Sequence, residues 1–287
     1  MTWLLLGANG QLGRSLQDVL SSAGVPFIAT GRTDIDITDF KSAKVGITQS
    51  NPSVIVNMAA WTDVDGAESH RDEAFLINAT GAKNVAEIAA EYEVPLVHIS
   101  TDYVFNGQKS SPYQVSDITN PLSVYGASKL LGEQLVRAAH PSGSWIVRTA
   151  WLYSQYGKNF ARTIARKGIA GDDLSVVNDS VGQPTSALAL GRQILALVEA
   201  KPSAGIFHGT NSGNATWFDF AEAIVSPIEN HGTITPVSSN SFPTIAARPK
   251  YSVLDHTEWS TCGMTKMPLW QASLEEIHIK ILDSIKD

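Results

Sequence analysis

The first thirteen residues constrain the fold more than any other stretch. An apolar run, Trp3–Leu6, leads straight into Gly7-Ala-Asn-Gly10-Gln-Leu-Gly13, and an amphipathic segment follows. Glycine tolerates the backbone angles of a tight turn and, lacking a Cβ, lets another chain segment come close. A strand, a glycine turn and a helix in that order open a βαβ unit, where the helix dipole and the free amides of the first turn attract an anion. Gly7, Asn9, Gly10, Gln11, Leu12 and Gly13 are therefore expected to hold the pyrophosphate of a dinucleotide.

The same alternation continues. Short β-rich runs near residues 2–6, 26–30, 53–60, 94–100 and 144–150 alternate with segments near 11–23, 39–49, 70–91 and 122–140, whose apolar positions recur every three to four residues. The pattern predicts an α/β fold: a doubly wound parallel (Rossmann) sheet in a dinucleotide-binding domain over residues 1–152, with ligands at the carboxyl edge of its strands. Beyond that point Gly, Pro, Asn and Ser crowd 178–186, 201–214 and 226–249. Residues 153–287 thus read mainly as a smaller, loop-rich substrate-binding lobe. A helix over 186–200 and a strand over 205–210 form a segment that could return to the main sheet. Further helices are expected near 216–226 and 271–286.

Composition narrows the function. With 287 residues, 43% of them apolar, the chain can bury a sizeable core. A net charge of −7 without any basic run disfavours nucleic acid as a partner. The start, MTWLLLGANG, has no basic leader region, and its apolar run is too short for a signal peptide or a membrane span, so a cytoplasmic chain that does not engage a membrane is expected. The single cysteine, Cys262, excludes an internal disulfide, and no Cys/His cluster has metal-ligand spacing.

Two further stretches bear on chemistry. The second strand ends in Gly31-Arg32. An arginine there pairs with the 2′-phosphate of NADPH, whereas an inward-pointing Asp34 would leave NADH as the alternative. Tyr125-Gly-Ala-Ser-Lys129 sits at the start of a predicted helix. Residues at i and i+4 share a face, so the ammonium is expected to lower the phenol pKa and prepare it to protonate a carbonyl as nicotinamide delivers hydride. Thr101, just after the strand over 94–100, supplies a hydroxyl to orient that carbonyl. Ser100 reads as structural.

At this point the motifs GANGQLG, VNMAAWTDVDGAE, STDYVFNG, YGASKLLGE, VRTAWLY, GKNFA, VVNDSVGQPT, TWFDFA and ARP resemble the extended short-chain dehydrogenase/reductases over nearly the whole chain. The resemblance implies a nucleotide-sugar substrate, a dTDP-linked 4-keto-6-deoxyhexose, whose keto group NADPH would reduce to give dTDP-L-rhamnose. It implies that Asp36 and Ile37 hold the adenine, although Asp36 also fits a turn. It further implies that Ala59, Ala60 and Thr62 line the cofactor, that Asp102, Tyr103 and Val104 neighbour the sugar and nicotinamide, and that Trp151 stacks on substrate. Asn159, Gln183, Thr185 and Arg248 match loop positions around the nucleotide sugar. Related dehydratases carry glutamate where Tyr103 stands, which favours simple reduction. Ser15 replaces a glutamate that bridges metal-linked dimers in some members, so no metal is expected, and a monomer or a homodimer stays open. The alternatives are a reductase or epimerase of another nucleotide sugar, or a non-catalytic NADP-binding regulatory subunit.

Overall fold

The structure, a computed structural model, describes residues 2–286. Its centre is a six-stranded, wholly parallel sheet: β1 (Trp3–Leu6), β2 (Phe27–Thr30), β3 (Val54–Asn57), β4 (Leu96–Thr101), β5 (Ser144–Thr149) and β6 (Gly205–His208). The spatial order is β6-β5-β4-β3-β1-β2. The chain leaves β1 for β2 on one side and crosses back to β3 on the other. The crevice at that reversal is where ligands of open α/β sheets bind.

Both faces of the sheet are covered, which is why β1 is continuously apolar rather than alternating. Trp3 and Leu5 point into one cluster with Val56, Val147 and Phe207, against Leu16 and Leu20 of the helix Gln11–Ser22 and Leu190 and Ile194 of the helix Ala187–Ala200. Leu4 and Leu6 point into the other with Ile55 and Ile146, against Ile47, Val85 and Ile88. The segment after residue 186 thus completes the main sheet: its helix packs beside the first one, and β6 pairs with β5 in register Ile206 to Ile146. A third cluster, built around Ile164, Phe220, Ile224, Trp270 and Leu274, lies entirely in the second half of the chain.

Two expectations change. The helix read over 70–91 is interrupted: Val64–Ser69 and Arg71–Phe75 lead into a π-helical turn, Leu76–Gly81, before Ala82–Glu91 resumes. The cause is Asn78, which accepts from the Trp61 amide (2.8 Å) and donates to the Trp61 carbonyl and the Ser128 hydroxyl, so the turn is held open by tertiary bonds that periodicity does not report. Likewise Ile234–Val237, inside the stretch read as loop, pairs in parallel with Leu174–Val177. Pro236 disguises it, and is tolerated because this is a two-stranded edge.

Candidate active site

At the carboxyl edge of the sheet lies one cavity of about 1030 Å³, walled by the glycine loop, the turns after β2, β3, β4 and β5, and the start of the helix Val124–Ala139. It exceeds the roughly 300–1,000 Å³ of an ordinary small-ligand pocket, leaving room for a dinucleotide beside a second ligand.

The glycine loop is shaped by backbone contact. Gly7 has φ +75°, and a Cβ there would stand 2.6 Å from the Ala59 nitrogen; at Gly13 it would meet the Ala8 backbone at 2.6 Å. Gly10 is the N-cap, and no side chain caps the helix. The first-turn amides at Gln11, Leu12 and Gly13 are left open to an anion entering the cavity. Asn9 also lies on this wall, and Ala59, Ala60 and Thr62, after β3, face it. At the far end, Arg32 is 77% exposed, its Nε 3.9 Å from the Asp36 carboxylate. Asp34 is not on the wall; its carboxylate accepts from the Gly31 amide at 2.7 Å within its own turn. Asp36 lies on the wall and also closes a turn, accepting from the Thr38 amide and hydroxyl at 2.9 and 2.7 Å. Those bonds hold its pKa below the usual carboxylate value. Ile37 is buried and packs where Gly81 lacks a side chain.

The reactive end is built by a capped helix. Ser123 accepts from the Gly126 amide, and Tyr125 and Lys129 then fall on the cavity side one turn apart. Gly126 and Gly132 let this helix press onto the carbonyls of Tyr103 and Asn78, where any Cβ would overlap. Thr101 ends β4, donating to Asp102 Oδ1 (3.1 Å) and accepting from the Tyr103 amide (3.2 Å). The Tyr103 ring meets Tyr125 edge-on, centroids 5.6 Å apart.

The electrostatics differ from the expected pairing. Lys129 Nζ donates to the Ile99 carbonyl at 2.6 Å. The surrounding protein, rather than that ammonium, dominates Tyr125 and pushes its phenol up to about 12, against a smaller opposing effect of Thr101. Burial also lowers Lys129 to about 8, opposed by Glu133, and lifts Asp102 to about 6. The phenol therefore stays protonated, the form from which a proton donor must start.

Other nominated residues do not reach the wall as expected. Val104 is fully buried beside Phe105, Tyr113 and Leu254. Asn159 caps the helix Phe160–Ala170, accepting from the Arg162 amide. The Gln183 side chain is spent on both backbone groups of Leu254 and on Thr210, while Thr185 donates to the Gln183 carbonyl. Arg248 is not itself a wall residue: it pairs with Asp65, Nη2 to Oδ2 at 2.7 Å, and bonds the phenol of Tyr103, which does line the cavity. Helix caps and buried amide bonds use the same residue types as ligand sites, so the sequence alone does not separate them. Trp151 does line the cavity. It is held at φ +47° and stacked on Trp217 at 3.5 Å between centroids, with Gly182 leaving space for the ring. Lys158 is a wall residue the sequence reading missed; lysine in a loop ordinarily signals only solvent. Among the described residues, no group of three acidic, His or Cys side chains is placed to hold a metal ion, and no helix is long and apolar enough to cross a membrane.

A parallel sheet with this strand order, an uncapped glycine loop, and a Tyr-x-x-x-Lys helix facing a threonine at a strand end define an extended short-chain dehydrogenase/reductase. The chain belongs to the RmlD substrate binding domain family, whose model matches residues 1–282. It is 40% identical to the dTDP-4-keto-6-deoxy-D-glucose reductase of Streptomyces niveus, covering 96% of this chain and 95% of that one. It is 38% identical to the dTDP-4-dehydrorhamnose reductase of Streptomyces griseus, covering 96% and 92%. Among solved structures, the dTDP-4-dehydrorhamnose reductase of Bacillus anthracis strain Ames in complex with NADP superimposes with a TM-score of 0.93 at 39% identity, covering 97% of this chain and 99% of that one.

Proposed function

We propose that this chain reduces the 4-keto group of dTDP-4-dehydro-L-rhamnose to give dTDP-L-rhamnose, using NADPH. The observation that carries the reading is the meeting of Thr101, Tyr125 and Lys129 on one cavity whose other end is a glycine cradle too tight for any Cβ. Residues of this chain fit the dinucleotide: the first-turn amides from Gln11 to Gly13 take its pyrophosphate, Ala59 and Ala60 let it lie close, and Arg32 takes the 2′-phosphate. Bound NADPH supplies the hydride. Tyr125 donates its phenolic proton to the carbonyl oxygen, Thr101 orients that oxygen, and Lys129 holds the nicotinamide ribose beside the phenol. Asp102, Tyr103 and Trp151 flank the sugar. The lobe after residue 152 is read as the part that recognises the nucleotide sugar, with Asn159, Gln183 and Thr185 supporting its loops and Arg248 at its rim.

The test is NADPH absorbance with a panel of dTDP-, UDP- and GDP-linked 4-keto sugars; turnover should be fastest with dTDP-4-dehydro-L-rhamnose. A second reading, reduction of dTDP-4-keto-6-deoxy-D-glucose, is favoured by the Streptomyces niveus relative and would show as a preference for that isomer. Retained NADPH binding without turnover of any sugar would refute both. Cofactor choice has its own check. Arg32→Ala should weaken NADPH roughly tenfold more than NADH, the order of one exposed charge-assisted contact. Equal loss in fluorescence titrations with the two cofactors would make Arg32 merely structural.

A further inference from the structure

Behind the cavity wall lies a buried ion pair that the chemistry above does not use. Arg148, on β5, donates from Nε to Glu133 Oε1 at 2.9 Å and from Nη2 to Oε2 at 2.7 Å, and the Ser100 hydroxyl, on β4, donates to the same Oε1 at 2.5 Å. The two charged side chains are only 3% and 2% exposed. Sheet register sets Ser100 beside Arg148, one residue before the pair of Thr101 and Thr149. On the helix, Glu133 stands one turn beyond Lys129, as Lys129 does beyond Tyr125, so the three share a face. A buried ion pair is weak evidence for stability, because desolvation offsets its attraction. Its position therefore calls for another account.

We propose that Glu133 is a positioning residue for the reduction: through Ser100 it ties the Thr101-bearing end of β4 to the helix carrying Tyr125 and Lys129, and its carboxylate is the anion beside which the buried Lys129 ammonium persists. The proposal rests on the reductase reading above. Lys129 meets few other charges. From β4 it faces the Ile99 carbonyl and His98, which burial keeps neutral. Tyr125, one turn back, is neutral up to about 12, and Asp102, next to Thr101, is already ionised above about 6. Arg148 shares the carboxylate that supports Lys129. Burial lowers the Lys129 ammonium to about 8 while Glu133 opposes the fall. The ammonium is thus present below that pH and lost as pH rises through it. Neutralising Glu133 moves the loss to lower pH.

Glu133→Gln alone strands the Arg148 cation and endangers folding, so the deciding variant is Glu133→Gln/Arg148→Met, which removes both charges at similar volume. Lys129 is titrated by NMR of lysine side chains labelled with nitrogen-15, its signal assigned through a Lys129→Met control. Its pKa should fall, by less than the loss of Glu133 alone would give because the Arg148 cation goes with it, and the alkaline limb of the kcat profile should move the same way. Ser100→Ala keeps the ion pair, so Lys129 should titrate as in the parent while kcat drops roughly tenfold with NADP+ affinity unchanged, the signature of misplaced reacting groups. An unmoved Lys129 titration in the double variant, or full kcat in Ser100→Ala, overturns the proposal. The titration needs no substrate: a parent protein that reduces no keto sugar defeats the reductase reading, while the Lys129 shift still decides for or against Glu133.

Discussion

Tyr125→Phe lowers turnover of the 4-keto sugar by a factor on the order of 100 or more, the usual size of a general-acid contribution, and leaves NADP+ binding intact. The substitution removes one hydroxyl and no ring. Phenylalanine fills the same place in the wall and keeps the edge-on contact with Tyr103. Lys129 keeps its bond to the Ile99 carbonyl, so the cofactor side of the site is undisturbed. What disappears is the proton that the surroundings of Tyr125 hold on the phenol up to about 12; Asp102, ionised above about 6, and the Thr101 hydroxyl, far too weak an acid, do not replace it. Steady-state NADPH oxidation reads the rate, and quenching of tryptophan fluorescence by NADP+ reads the binding. A phenylalanine variant with near-normal kcat would remove Tyr125 from the chemistry.

The second large effect is on stability. Glu133→Gln should cost about 3–5 kcal/mol, the range for removing one partner of a buried ion pair. The Arg148 guanidinium is nearly sealed from water, and its Nη1 already has no partner, so the loss of the carboxylate leaves a cation with nothing to pair with. The guanidinium also lies over the face of Phe105, 5.1 Å from the ring centre, which offers far less than a carboxylate. Glu133→Gln/Arg148→Met should recover most of the loss, since a buried pair replaced on both sides is often neutral or better. Urea-unfolding midpoints of parent, single and double variants measure this. A single variant within about 1 kcal/mol of the parent, the centre of the range for ordinary substitutions, would mean that Arg148 finds another partner.

The residues proposed to react were legible because local chemistry constrains them locally. A glycine turn between strand and helix, and a tyrosine and lysine one turn apart, are fixed by backbone sterics and helix period. A threonine closing an apolar run is fixed in the same way. Those relations hold within a dozen residues, so Gly7, Gly13, Tyr125, Lys129 and Thr101 could be named before any fold was known. Arg32 could be named for the same reason, whereas the bond between Asp34 and the Gly31 amide is visible only in the fold.

What the tertiary structure alone decided lies between segments far apart in the chain. Asn78 opens a π-helical turn because Trp61 and Ser128, 17 and 50 residues away, take its amide. Arg248 pairs with Asp65, 183 residues away, while its guanidinium also bonds the Tyr103 phenol of the cavity wall. Ser100, read as merely structural, meets Glu133 and Arg148 only once β4, β5 and the Tyr125 helix have packed. Polar side chains gain by bonding whatever partner burial brings to them, and an unpaired one is costly. The glycine loop and the Tyr-x-x-x-Lys face were therefore properties of the sequence by itself. The charge that sustains Lys129, and the partners that draw Gln183, Thr185 and Asn159 into structural bonds, belong to the packed fold.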